Sequence, residues 1–292
     1  MWNFYIYRKP RSLEPTGPFD CRKFGLFLAI LLLGCLLTGT VTGCGKEKAQ
    51  KGLCLAGSTS VQPFAEKLAE IYMREHPQVR IDVQGGGSSA GIFAAENGAA
   101  DLGASSRELT EQEKSLLKEV PIAYDGIAVI VNKRNPLENL SLKQIRQIFQ
   151  GEITDWGQFH LTPHPIHIIT REEGSGTRNA FEEMVMGKHA EITPDALVQD
   201  SNGSVRELVA DDPYAIGYIS MGLVDPRVKA LSVDGVAPTR QNVKNRSYTL
   251  VRRFLLVAKE IKPGPCQAFI NFILSAQGQS LLESEGLVGV ED

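Results

Sequence analysis

The chain has 292 residues, 42% of them hydrophobic and 22% charged, with a formal net charge of −3. That length can bury one large core or two smaller ones, and the composition is neither that of a disordered chain nor of a fibre. A slightly acidic chain carries no footprint for nucleic acid, and any anion site in it must work through local dipoles and hydrogen bonds rather than bulk attraction.

In chain order, Arg8, Lys9, Arg11, Arg22 and Lys23 precede an apolar run from Phe24 to Leu37. This is the layout of an export signal, and the run is short for a membrane-spanning helix. Val41-Thr42-Gly43-Cys44 resembles a bacterial lipobox, with Leu33-Gly34-Cys35 as a weaker competitor inside the apolar run. The expectation is a signal peptide over 1–43, a lipidated Cys44 and a polar tether over 44–52, on the extracytoplasmic face of a bacterial cell membrane. Removing 1–43 leaves a more acidic protein, about −6. Cys54 and Cys266 remain beyond Cys44 and could pair in an oxidising compartment or stand as isolated thiols.

The folded part starts near Leu53. Leu53-Cys54-Leu55 reads as a strand, and Phe64, Leu68, Ile71 and Tyr72 follow at helical spacing, with Pro63 suited to the first turn. Residues 79–83 alternate as a strand, a short helix is expected over Gly91–Asn97, and Asp101 to Ala104 ends another strand. Thr110 and Glu113 form a capping box. Ile127 to Val131 is a continuous apolar run, the pattern of a strand buried on both faces. Ser141 caps a helix that Gly151 stops. Strands are expected over Ile166–Thr170 and Ile216–Ile219, a helix over Asn179–Met186, a strand within Tyr248–Ala258 and a last helix over Pro265–Glu285. Alternating strands and helices predict an α/β fold. With crossings near 129–132 and 249–253, the pattern predicts two lobes on a two-stranded hinge: 53–130 with 251–292, and 131–250.

Four segments rich in glycine and hydroxyls punctuate this pattern: Gly57-Ser58-Thr59-Ser60, Gly85-Gly86-Gly87-Ser88-Ser89, Ser105-Ser106-Arg107 and Gly174-Ser175-Gly176-Thr177. Each can open a helix, where free N–H groups, the positive end of the dipole and the hydroxyls make an anion site. Arg171 stands at a predicted strand end three residues before Gly174, and its planar fork matches two oxygens of a tetrahedral anion. Glu172 or Glu173 is placed to orient it. Thr59, Ser60, Ser88, Ser89, Ser106, Arg107, Arg171, Ser175, Gly176 and Thr177 are therefore the expected anion contacts.

These segments, with Asp125-Gly-Ile-Ala-Val-Ile-Val-Asn132, Ile148-Phe-Gln-Gly-Glu-Ile-Thr-Asp-Trp156 and Arg171-Glu-Glu-Gly-Ser-Gly-Thr177, resemble the phosphate-binding lipoproteins of bacterial high-affinity phosphate ABC importers. The resemblance runs from about residue 53 to 290. It implies a two-lobed type II periplasmic-binding-protein fold that closes on inorganic phosphate and delivers it to a membrane permease, with no cofactor and no catalysis. By position it matches Thr59, Ser88, Arg171, Ser175, Gly176 and Thr177 to ligand contacts. Ser106 stands where the better-known enteric members carry an aspartate, so the acceptor for the phosphate proton falls to Asp125, with Glu172 or Glu173 behind it.

Three other readings compete. Sulfate, molybdate or arsenate suits the same dipoles. Gly87-Ser88-Ser89-Ala90-Gly91 fits a nucleophile elbow with Ser89 as nucleophile, but no histidine falls in a late strand–loop position. His160, His164 and His167 lie around Pro163 and Pro165, a layout that reads as a solvated loop rather than a metal site.

Overall fold

The computed structural model describes residues 51–187 and 190–290. The signal-like run, Cys35, Cys44 and His189 lie outside the described residues. Among the described residues, no helix is long and apolar enough to cross a membrane.

The chain opens with β1 (Lys51–Gly57), α1 (Gln62–Glu75), β2 (Val79–Gly85), α2 (Ser88–Asn97), β3 (Leu102–Ser105), α3 (Glu111–Leu116) and β4 (Lys118–Asn132). There follow β5 (Asn139–Leu140), α4 (Leu142–Phe149), β6 (His167–Arg171), α5 (Gly176–Phe181), β7 (Leu197–Gln199), α6 (Asn202–Asp211), β8 (Ala215–Ser220), β9 (Val228–Ala230) and β10 (Ser232–Val233). The last elements are α7 (Arg240–Lys244), β11 (Val251–Ala258), α8 (Pro265–Ile273) and α9 (Ala276–Ser284). The main sheet runs β2-β1-β3-β11-β4-β8-β6-β7, with β9 beside β4. β1 is parallel to β2 and β3, and β6 is parallel to β7 and β8, whereas β4 and β11 run against their neighbours.

β4 belongs to both halves of the sheet. Its residues 118–126 pair with β11 and residues 127–131 with β8, so the ladder changes partner between Gly126 and Ile127. The apolar interior divides at the same place. One core gathers buried residues between Leu53 and Ala123 with Phe254 to Leu287, and a second gathers Ile127 to Leu250 with Val288. The chain leaves the first half a few residues before the crossing predicted near 129–132, because the apolar run is the second half of a longer strand whose first half carries Lys118, Glu119 and Pro121.

Several helix ends follow side-chain chemistry. Thr110 and Glu113 form the expected capping box, and the Ser141 hydroxyl accepts the Gln144 N–H. The helix expected from Gly91 begins earlier, at Ser88, because Gly87 turns the chain at a φ of 89°. Gly91 then faces β1, where a Cβ would stand 2.5 Å from the Gly57 Cα. The expected single helix over Pro265–Glu285 is two helices, because the Ser275 hydroxyl accepts the Gly278 N–H and starts a new one. The helix expected over Asn179–Met186 starts at Gly176 and loosens into a π-helical turn over Glu182–Met186. Behind it, Phe181 stacks on Tyr218 at 4.0 Å and meets Phe149 edge-on at 4.7 Å. Burial of each such ring is worth about 1.5–3 kcal/mol, enough to fix the start of α5 against the sheet. Cys54 and Cys266 are free thiols.

Candidate functional site

The carboxyl ends of β1, β3 and β6 converge, and the loops after them bring helix starts from both halves face to face. From the first half come Ser58, Ser60, Ser88 and Ser106, each at most 2% exposed, together with half-buried Thr59. From the second come Arg171, Ser175 and Thr177, each 1% exposed. Hydroxyls are tightly coupled here. Ser58 Oγ donates to Ser106 Oγ at 2.8 Å, and Ser88 Oγ accepts the Ser106 N–H at 3.0 Å. The Ser60 and Thr177 hydroxyls lie 2.6 Å apart across the two halves. Gly176 makes the approach possible, since a Cβ there would fall 2.2 Å from Ser88 Oγ. Ser89 contributes its backbone, donating N–H to the Gly174 carbonyl at 3.2 Å.

Arg171 is the last residue of β6, as its place at a predicted strand end suggested. Its Nε donates to Glu172 Oε2 and to the Gln199 carbonyl, and its Nη2 to Glu172 Oε1, the Asp200 carbonyl and Thr59 Oγ1 at 3.0 Å. The remaining nitrogen, Nη1, is buried without a hydrogen-bond partner. A buried guanidinium nitrogen is costly to leave unsatisfied, so this atom marks where an acceptor belongs. Glu172 orients the fork, while Glu173 makes no hydrogen bond to it among the described residues.

Two expectations need correction. Ser105-Ser106-Arg107 opens no helix: Ser105 Oγ closes a local turn on Arg107, and α3 starts later behind Thr110. Arg107 accordingly turns away from the hydroxyls and grips Glu113 with Nη1 and Nη2, both at 2.8 Å. Its charge is committed to the capping box, because the nearer carboxylates are held elsewhere, Glu108 by Arg253 and Glu111 by Lys114.

A second guanidinium sits at the site instead, and it comes from Arg252 at the start of β11. Its Nε and Nη2 hold Asp125 Oδ2 at 2.9 and 2.8 Å, and its Nη1 reaches Thr177 Oγ1 at 2.7 Å. Asp125 is fully buried, and its other oxygen accepts the Ser220 hydroxyl at 2.8 Å. Burial pushes the Asp125 carboxyl up and the Arg252 guanidinium down from their ordinary values, and the attraction between them opposes both shifts. Asp125 thus faces Arg252 and Ser220 with both oxygens rather than standing free as an acceptor. Asn202, the first residue of α6, is also new to the site: its Nδ2 donates to Ser60 Oγ at 2.9 Å. Ser201-Asn202-Gly203-Ser204 repeats the hydroxyl–glycine signal of the other starts and could have been found by it.

Three of the described histidines are occupied elsewhere, His76 against Tyr72 among them. His164 stacks on Tyr214 and His167 pairs with Asp212, and among the described residues no histidine is hydrogen-bonded to Ser89 and no cluster of metal-ligating groups occurs. The arrangement presents hydroxyls, N–H dipoles and the unpartnered nitrogen of Arg171 to a small volume, which is equipment for gripping an oxyanion.

A family model described as a PBP superfamily domain matches residues 43–277. Among curated relatives, the phosphate-binding protein PstS of Bacillus subtilis (strain 168) is 32% identical over 253 residues, covering 85% of this chain and 84% of that one. PstS of Borreliella burgdorferi is 27% identical over 274 residues, covering 90% of this chain and 98% of that one. Among solved structures, a phosphate ABC transporter substrate-binding protein from Clostridium perfringens, determined with bound phosphate, is 44% identical with a TM-score of 0.80. It covers 82% of this chain and is itself covered completely. The chain belongs to the PBP superfamily and, within it, to the Pst-type phosphate-binding proteins.

Proposed function

We propose that this protein captures inorganic phosphate between its two halves and hands it to the permease of an ABC-type phosphate importer, as a binding protein that performs no chemistry on its ligand. The observation that carries the reading is the buried, unpartnered Nη1 of Arg171 among Ser58, Ser60, Ser88, Ser106 and Thr177. A tetrahedral dianion supplies the acceptors that such a set of donors calls for. Thr59, Ser60, Ser88, Ser106, Arg171, Gly176 and Thr177 would surround it, with Ser175 capping α5 and Ser89 contributing backbone. Kinship to the Bacillus and Clostridium proteins supports phosphate over other oxyanions.

The halves act as lobes, the first built from 53–126 with 251–290 and the second from 127–250, hinged where β4 and β11 meet. Residues 1–43 direct export and are removed, and Cys44 carries the lipid that holds the protein at the outer face of the cell membrane. Mass spectrometry of the amino-terminal peptide tests that anchor: a diacylated Cys44 is expected, and a free or retained residue 43 overturns it. For the ligand, calorimetry of the detergent-solubilised protein with phosphate, sulfate and arsenate decides. Tight binding of phosphate with much weaker sulfate is expected. Sulfate binding without phosphate binding would sink the assignment.

A further inference from the structure

The buried polar groups around the site close into a ring. Asn202 Nδ2 donates to Ser60 Oγ at 2.9 Å, and Asn202 Oδ1 accepts the Ser220 N–H at 3.1 Å. That backbone N–H can only donate, which fixes the amide orientation. Ser220 Oγ donates to Asp125 Oδ1 at 2.8 Å, Asp125 Oδ2 holds Arg252, and Arg252 Nη1 donates to Thr177 Oγ1 at 2.7 Å. The Thr177 and Ser60 hydroxyls, 2.6 Å apart, complete the circuit. Every member is at most 5% exposed.

The ring has an asymmetric construction. Asn202, Ser220 and Thr177 belong to the second half, Asp125 and Arg252 to the strands at the crossing, and Ser60 alone to the outer part of the first half. The Ser220–Asp125 and Arg252–Thr177 bonds lie close to the strand crossing, whereas Ser60 comes from the loop after β1, farther from it. Ser60 joins them only when the halves meet, slotting between Asn202 and Thr177. Both ends of the Asn202 amide are engaged, one by Ser60 and one by Ser220, so the Ser60 bond is gained on closure rather than on contact with a ligand.

We propose that Asn202 is a positioning residue that latches the closed form through Ser60 and thereby sets how long a bound anion is retained. This rests on the phosphate-capture reading above. A protein whose binding-competent form is fractionally populated shows an affinity reduced by that fraction. A latch that forms after the anion docks acts on escape, not on encounter.

The test uses the full chain in detergent with inorganic phosphate, measuring association and dissociation by stopped flow for the wild type, Asn202→Ala, Ser60→Ala and the double variant. Thermal unfolding without phosphate reports that each is folded. Asn202→Ala should raise the dissociation rate about tenfold and leave the association rate within about twofold. In the Ser60→Ala background the same substitution should change dissociation by less than about twofold, because its partner is already gone. Equal effects of Asn202→Ala in both backgrounds, or a fall in association alone, overturn the latch. Should Asn202→Ala fail to fold, Asn202→Ser, whose shorter side chain cannot span to Ser60, must speed dissociation without slowing association, or the idea fails. A wild type that binds no phosphate at all defeats the functional reading instead, so the two failures are distinguishable.

Discussion

Two buried arginines face the same small volume and are held in opposite ways. Arg171, in the second half, is anchored by Glu172 and by two backbone carbonyls, and it keeps Nη1 without a partner. Arg252, at the crossing, has each of its three nitrogens engaged, mostly by the fully buried Asp125. The anchoring carboxylate differs too, since the Glu172 side chain is 31% exposed and that of Asp125 is sealed from solvent. A guanidinium with an unpartnered nitrogen is prepared for a ligand, whereas one with every nitrogen engaged is part of the frame. Charge type alone does not separate the two; the count of unpartnered nitrogens does.

The strongest way to break the comparison is to remove the carboxylate from the frame. Asp125→Ala leaves Arg252 as a buried charge without its partner, which costs about 3–5 kcal/mol. Thermal unfolding should show Tm lowered by roughly 10 °C, and an unchanged Tm would mean that Arg252 is not structural. Arg171→Ala should do the reverse. Phosphate affinity falls about a hundredfold or more while Tm without phosphate shifts little, and Arg171→Lys recovers only part because an ammonium cannot reproduce the fork. Calorimetry of both variants checks this.

Gly176→Ala sharpens the comparison at the contact between halves. Its Cβ would crowd Ser88 Oγ and Ser106 Oγ at 2.2 and 2.7 Å. Overpacking of this kind costs about 1–3 kcal/mol, so the affinity for phosphate should drop about tenfold, with a smaller change in the unliganded Tm. The smallest effect belongs to the arginine that turned away. Hydrogen bonding from Arg107 lowers the Glu113 carboxyl below its ordinary 4.5, as Arg253 lowers Glu108. Folded values below unfolded ones mean that this stability is complete above the ordinary carboxylate range and lost as pH falls through the folded values. Glu113→Gln should therefore flatten the acid limb of Tm against pH by no more than about 1 kcal/mol, and leave phosphate affinity within about twofold.

The legible parts of the site were those whose signal is local. Arg171 at the end of an apolar strand and Ser175-Gly176-Thr177 at a helix start declare themselves within seven residues, as does the capping box of Thr110 and Glu113. Arg252 gives no such sign. It stands beside Arg253 in an alternating strand, where neighbours point to opposite faces. Arg252 goes inward to Asp125, whereas Arg253 goes outward to Glu108 and Glu119. Nothing in Val251-Arg252-Arg253 tells which is which, because the partner is 127 residues away. For Arg107 the carboxylate stands three residues past Thr110, so the same short stretch carries both the capping box and the hydroxyl–glycine signal, and the pattern does not say which one the guanidinium joins. The π-helical turn after α5 and the full length of β4 were hidden for another reason. Both depend on how distant segments pack, not on the residues that form them.

A single uninterrupted strand, β4, serves both halves, changing ladder partners between Gly126 and Ile127 without a loop. Any swing of one half against the other must therefore be taken up as added or relieved twist along a hydrogen-bonded ribbon. A ribbon of this kind is built like a torsion bar, with the displacement of a swing carried as twist and a single resting angle as the expected outcome. Each cycle of loading and unloading then begins from the same geometry, and the machine keeps its zero.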